Sequence, residues 1–142
     1  MSNRRDLPGD RPIFELPLTI LPGDIDENGH VNNVVYVRWI QDAGTAHWRA
    51  NFPDATDQTW VVLRHEIDYR RALKLGDDVR ALTWVGEPRG VRFDRFVRIE
   101  GPGGEVAAQG HTEWAMLDAR TMRPKRIPPE LARPFLDLQT TA

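Results

Sequence analysis

Residues 24–48 read DIDENGHVNNVVYVRWIQDAGTAHW, a stretch with a polar loop followed by a run with helical spacing. Its first part is a polar loop of Asp, Asn and Gly that ends near His30. From Val34 onward, apolar residues recur at the three- and four-residue spacings of a helix, and no proline interrupts them. Asn32 or Asn33 is a suitable N-cap for that helix. The sequence therefore predicts a long, largely apolar helix that begins directly after a polar cluster.

The polar cluster places a carboxylate, an amide and an imidazole (Asp26, Asn28 and His30) just before the helix. The first N–H groups of a helix have no intrahelical partner, and the helix dipole adds positive charge there. Such a position suits an oxyanion beside a base or nucleophile. A purely structural interpretation is that these residues cap the helix and its turn. One cap needs a single Asx residue, however, and this loop holds several.

The same loop also resembles the start of a calcium-binding loop, with the pattern Asp24-x-Asp26-x-Asn28-Gly29. The twelfth position of that pattern is Val35, where a calcium-binding loop needs a bidentate Glu. The segment before the pattern is also Pro-containing and strand-like, not helical. We therefore expect no metal site, and nothing in the sequence indicates a cofactor.

The composition is that of one ordinary globular domain: 142 residues, 40% hydrophobic and 28% charged. Lys+Arg 19 against Asp+Glu 21 gives a net charge of -2, which argues against nucleic acid as a partner. The chain has no Cys, which excludes a disulfide and a Cys nucleophile. No apolar run is long enough to span a membrane, and no secretory signal is visible. The expected location is the cytoplasm, without a membrane partner.

Pro and Gly among charges predict a flexible N-terminal lead-in over residues 1–12, followed by a single domain over residues 13–142. Alternation and turn residues predict five strands and a short C-terminal helix, at 13–21, 59–73, 77–88, 91–100, 105–118 and 128–138. Consecutive strands with short connections are expected to pair antiparallel. Only the helix after the polar loop is long enough to cover an apolar sheet face. The sequence thus predicts an α+β fold, a five-stranded antiparallel sheet wrapped around one long central helix.

Alternation along two of the predicted strands assigns their side chains to faces of the sheet. In the second strand, alternation predicts one apolar face, formed by Val61, Leu63, His65, Ile67 and Tyr69. In the fourth strand, Arg95 shares a face with apolar neighbours, so it either escapes at a bulge or reaches an interface or a phosphate. Candidate ligands for phosphate groups are Arg89, Arg92 and Arg95, together with Arg98, and solvated surface arginines are the alternative.

One motif resembles a known family. The residues Asp26-x-Asn28-x-His30-Val31-Asn32-Asn33-x-x-Tyr36 are similar to the D-x-N-x-H-V-N-N-x-x-Y signature of hotdog-fold thioesterases of the 4-hydroxybenzoyl-CoA thioesterase-like superfamily, in particular the acyl-carrier-protein branch. Thr112-Glu113-Trp114 resembles a T-E-W of that branch, and weaker likenesses extend over most of residues 13–130. The resemblance implies a hotdog fold, hydrolysis of an acyl-CoA or acyl-carrier-protein thioester, and assembly as a homodimer or homotetramer.

The same resemblance implies roles for individual residues. Asp26 would be the nucleophile or general base, with Asn28 and His30 as its companions. A backbone N–H near Asn33 would polarise the thioester carbonyl. Two other functions stay open: a hotdog hydratase or dehydratase, whose D-x-N-P-x-H motif differs from this one, and a non-catalytic acyl-thioester-binding module.

Overall fold

A computed structural model describes residues 6–138, so part of the predicted lead-in lies outside the described residues. The elements in chain order are β1 (Phe14–Leu18), α1 (Asn33–Asn51), β2 (Gln58–Tyr69), β3 (Val79–Val85), β4 (Arg92–Glu100), β5 (Val106–Asp118) and α2 (Pro129–Leu136). All strand pairs are antiparallel and form one five-stranded sheet. The predicted α+β architecture, with the sheet packed on a long helix, is confirmed.

The strand order is β1-β3-β4-β5-β2, which corrects the expectation that all consecutive strands pair. β2 pairs with β5 and not with β3. The reason lies in residues 70–78, which form a crossover and not a tight turn. Leu73 in this crossover is fully buried, and its carbonyl accepts the Val31 N–H at 2.9 Å. β1, which contains Pro17, is an edge strand, a position where the missing N–H of a proline is tolerated.

A bulge in β2 changes which side chains face the helix. The register shifts between Val62 and Arg64, and the side chain of Leu63 is left exposed. Cross-strand partners share a face of the sheet. Trp60, opposite Met116, therefore lies on the same face as His65 and Ile67, which follow the bulge. The predicted inward position of Val61 and Leu63 is therefore wrong, because the extra residue of a bulge reverses the alternation.

The helix α1 forms as its sequence predicts. The side-chain oxygen of Asn32 accepts the Val34 N–H at 3.1 Å and caps the first turn. Its buried face consists of Val35, Tyr36, Trp39, Ile40, Ala43, Gly44 and His47. The helix lies close to β5 at Gly110, where an added Cβ would stand 2.7 Å from Cδ1 of Ile40. Within residues 6–138, neither helix has the length and apolar character needed to cross a membrane.

The short helix α2 closes the end of the sheet beside the C-terminal half of α1. Phe135 is 1% exposed, and the centroids of its ring and of the His47 ring are 4.7 Å apart. The ring of Trp48 stacks on the ring of Phe135, and Phe93 of β4 packs edge to face against the same ring. The protein thus has a separate aromatic cluster at the end of α1 that is remote from the polar loop.

Candidate active site

The loop between β1 and α1 holds the carboxylate of Asp26 in a defined position. Its Oδ1 accepts the backbone N–H groups of Asn28 at 2.9 Å and of His30 at 3.3 Å. Gly29 has a φ of 79° and donates its N–H to the Asp26 carbonyl, in a conformation that favours glycine. The Asp26 Oδ2 has no hydrogen-bond partner within residues 6–138. One carboxylate oxygen is therefore anchored, and the other is free to take a proton or attack a carbonyl.

The ends of this loop are tied together beside the helix start. A β-bridge joins Ile25 to Val31, and the Asn32 N–H donates to the Asp24 carbonyl at 2.9 Å. Asn33 begins α1, and its N–H donates to no acceptor among the described residues. The Asn33 carbonyl accepts the Tyr69 hydroxyl at 3.3 Å, which links the end of β2 to the helix start. An uncapped N–H at the positive end of a helix is a suitable oxyanion donor.

The structure brings together Asp26, Asn28 and His30 through the main chain. The side chain of Asn28 is exposed and that of His30 is half-buried. Neither side chain makes a hydrogen bond within the described part of the chain, so both are free to meet a ligand. The three residues and the start of α1 thus form one polar patch at the protein surface.

Asp24 has a different role from the rest of the loop, which the sequence did not reveal. It is 5% exposed, and its Oδ1 accepts a hydrogen bond from the Arg38 guanidinium at 3.1 Å. Its Oδ2 accepts the Leu21 N–H at 2.9 Å. Asp24 therefore fastens the loop to the second turn of α1. In residues 6–138, no three His, Asp or Glu side chains lie close enough to hold a metal ion.

Of the candidate phosphate ligands Arg89, Arg92 and Arg95, only the first two lie together. Arg89 donates to Asp94 at 3.1 Å and to Glu113 at 3.0 Å, on the outer face of the sheet. Arg92 lies on the same face, 3.5 Å from Glu113. Arg95 lies on the opposite, inner face and is only 7% exposed. A guanidinium buried there cannot reach a coenzyme A phosphate at the surface.

Arg95 instead belongs to a buried polar cluster with His47 and Thr83. One terminal nitrogen of Arg95 lies 2.9 Å from Nδ1 of His47 and donates to Oγ1 of Thr83 at 3.0 Å. Gly44 leaves the space that the arginine fills, because an added Cβ would stand 3.0 Å from Cδ of Arg95. Burial, aided by the Arg95 charge, lowers the pKa of His47 to about 3. The ring is therefore neutral, and its Nδ1 accepts the hydrogen bond from arginine.

Comparison with known proteins gives a family and curated relatives. The family model of the thioesterase-like superfamily matches residues 20–135. An acyl-[acyl-carrier-protein] hydrolase of Cuphea viscosissima is 33% identical over 99 residues, which cover 68% of this chain. The same match covers 22% of that hydrolase, so this chain spans only part of the length of its relative.

Solved structures of similar fold agree with the architecture. The structure of a predicted thioesterase from Bacillus stearothermophilus superposes with a TM-score of 0.79 at 22% identity, over 92% of this chain and 100% of that one. A Thermus thermophilus thioesterase, solved with coenzyme A and Zn, superposes with a TM-score of 0.76 at 24% identity. That match covers 89% of this chain and 94% of the other. The two structures establish that the sheet and helix form a hotdog fold.

Proposed function

This chain belongs to the thioesterase-like superfamily, and from that premise we propose that it hydrolyses an acyl-CoA or acyl-carrier-protein thioester to a free acid and a thiol. One observation carries the proposal: the anchored carboxylate of Asp26 lies in the loop that ends at the start of α1, where the Asn33 N–H has no partner among the described residues. Both substrate carriers are represented among the comparisons, by the relative named as an acyl-carrier-protein hydrolase and by the structure with bound coenzyme A.

In the proposed reaction, Asp26 acts through its free Oδ2. It either removes a proton from the attacking water, or attacks the thioester carbonyl itself to form a mixed anhydride that water then hydrolyses to the free acid. In both routes the C–S bond breaks and the leaving thiolate takes a proton. The N–H of Asn33 stabilises the negative charge that develops on the carbonyl oxygen. Asn28 orients the carboxylate or the water, and His30 orients the carbonyl or shares the proton transfers. The site needs no metal for these steps.

The experiment is the substitution Asp26→Asn, assayed by thiol release from acyl-CoA. Asn keeps an Oδ1 that accepts the N–H groups of Asn28 and His30, so the loop is retained while charge and basicity are lost. We expect kcat to fall by roughly two or more orders of magnitude with KM largely kept. The matched control is Glu27→Gln, which removes an exposed carboxylate from the same loop and should keep wild-type rates.

Two results would contradict this proposal. A folded Asp26→Asn variant that cleaves acyl-CoA at the wild-type rate would reduce the loop to a helix cap. Wild-type protein that hydrates an enoyl-CoA without releasing thiol would instead favour the hydratase function. A screen of acyl-CoA chain lengths, repeated with acyl carrier protein, identifies the preferred acyl group and carrier. In the same screen, Arg89→Met and Arg92→Met test whether these half-exposed arginines contact coenzyme A phosphates.

We also propose that the protein is a homo-oligomer of at least two chains. β2 is an edge strand with the exposed side chains of Leu63 and Tyr69. An open edge of this kind is usually covered in a stable protein. The Asp26 patch is open at the surface of the single chain, and a second copy would supply its missing wall.

A further inference from the structure

A cavity of about 290 Å³ lies between the C-terminal half of α1 and the inner face of the sheet. Its walls are largely aromatic, formed by Trp48, Phe52, Trp60, Phe93, Trp114 and Phe135. It begins at Gly44, which is about 16 Å along the helix axis from Asn33 at 1.5 Å per residue. The cavity is therefore distinct from the polar patch around Asp26. Its volume is at the small end of ligand pockets, too small for a nucleotide.

Three side chains that line this cavity, Arg95, Trp60 and Trp114, carry donors that lack an acceptor or a counter-charge among residues 6–138. Arg95 lines it, is 7% exposed, and has no carboxylate within ion-pair distance in the described chain. Trp60 and Trp114 also line the cavity, and their indole N–H groups are buried and have no hydrogen-bond partner within the described residues. Asp94 also lines the cavity, but its carboxylate is bound to Arg89 and His111 on the outer face.

Buried donors and charges are normally paired, and the guanidinium of Arg95 is paired only in part. His47 and Thr83 occupy one terminal nitrogen of Arg95. Its Nε and second terminal nitrogen make no hydrogen bond within residues 6–138. Burial also lowers the pKa of Arg95 to about 9, which leaves the group charged at neutral pH without a compensating anion. An anion with several acceptor oxygens would supply the partner that this arginine lacks.

We propose that this cavity binds an apolar monocarboxylate, with the carboxylate on Arg95 and the two indole N–H groups and the apolar body between the aromatic walls. A guanidinium matches a carboxylate in geometry, and the low-polarity surroundings strengthen the charged hydrogen bonds. The site stands independently of the proposed hydrolase activity. Its ligand class includes the free acid that hydrolysis of a thioester releases.

The first test compares octanoate with 1-octanol, which has the same chain and no charge, by calorimetric titration. Wild-type protein should bind octanoate about ten- to a hundred-fold more tightly than 1-octanol. Arg95→Met keeps side-chain length and should bind the two ligands about equally. The matched control is Arg49→Met, because Arg49 also lines the cavity but is exposed. This control should keep the preference for octanoate.

A second readout uses the wild-type fold and does not depend on the Arg95 variant folding. Octanoate should shift the indole N–H resonances of Trp60 and Trp114 in a ¹H–¹⁵N spectrum, assigned with Trp60→Phe and Trp114→Phe. The resonance of Trp39, which lies outside the cavity, should not move. Asp26→Asn should bind octanoate like wild type, so failure of the hydrolase proposal leaves this one standing. Equal affinity of wild type for octanoate and 1-octanol, or unmoved resonances, would overturn it.

Discussion

The neutral ring of His47 should make the stability of this protein depend on pH between about 3 and 6.5, a window whose upper part lies above the range in which carboxylates titrate. His47 is 3% exposed, and its ring is packed between two phenylalanine rings. The ring centroid of Phe14 is 4.9 Å away in a stacked arrangement, and that of Phe135 is 4.7 Å away. The charged group that faces it is Arg95 of β4. Burial and this positive charge both oppose protonation of the imidazole. In the unfolded chain neither burial nor this charge opposes protonation of the imidazole.

The magnitude follows from the two pKa values. The pKa of His47 falls from the ordinary 6.5 to about 3 on folding. Between these values the unfolded chain binds more protons than the folded one, so the free energy of unfolding rises with pH by about 1.4 kcal/mol per pH unit. The contribution is fully present above pH 6.5 and is lost as pH falls toward 3. At pH 5 the loss is about 2 kcal/mol.

The assay is urea denaturation, followed by circular dichroism at about pH 7.5 and about pH 5. His47→Asn should lose about 2 kcal/mol less than wild type between the two pH values, since Asn does not titrate but keeps an oxygen acceptor for Arg95. The control is Phe14→Leu, which weakens packing on the ring and leaves it titratable. This control should be less stable at both pH values and keep the wild-type difference. An equal loss in wild type and His47→Asn would refute the reasoning.

Two further predictions concern packing and assembly. Gly110→Ala should lower the free energy of unfolding by about 1–3 kcal/mol, because its Cβ would meet Cδ1 of Ile40 at 2.7 Å. Urea denaturation measures this change. Unchanged stability would show that the helix can move away from β5. Light scattering at micromolar concentration should give at least twice the mass of one chain. A stable monomer of 16.3 kDa would contradict the oligomer and the idea that a second copy completes the Asp26 site.

Local patterns in the sequence were sufficient for the elements and for the position of the candidate site. The cap at Asn32 and the buried face of α1 follow from residue spacings alone, because the period of a helix relates neighbours along the chain. The same holds for Asp26, whose turn closes through residues within the loop. The cytoplasmic location and the exact residue roles stay predictions.

Contacts between distant segments decided the rest. The pairing of β2 with β5 and the bulge at Leu63 depend on long-range register, which alternation within one strand cannot specify. The sequence placed Arg95 on a strand face with apolar neighbours and left its environment open, and only the folded chain set it against His47 without an anion. The aromatic cavity likewise takes its walls from both helices and several strands. Periodicity specifies the direction of each side chain, whereas tertiary packing determines which groups meet there and which remain unpaired.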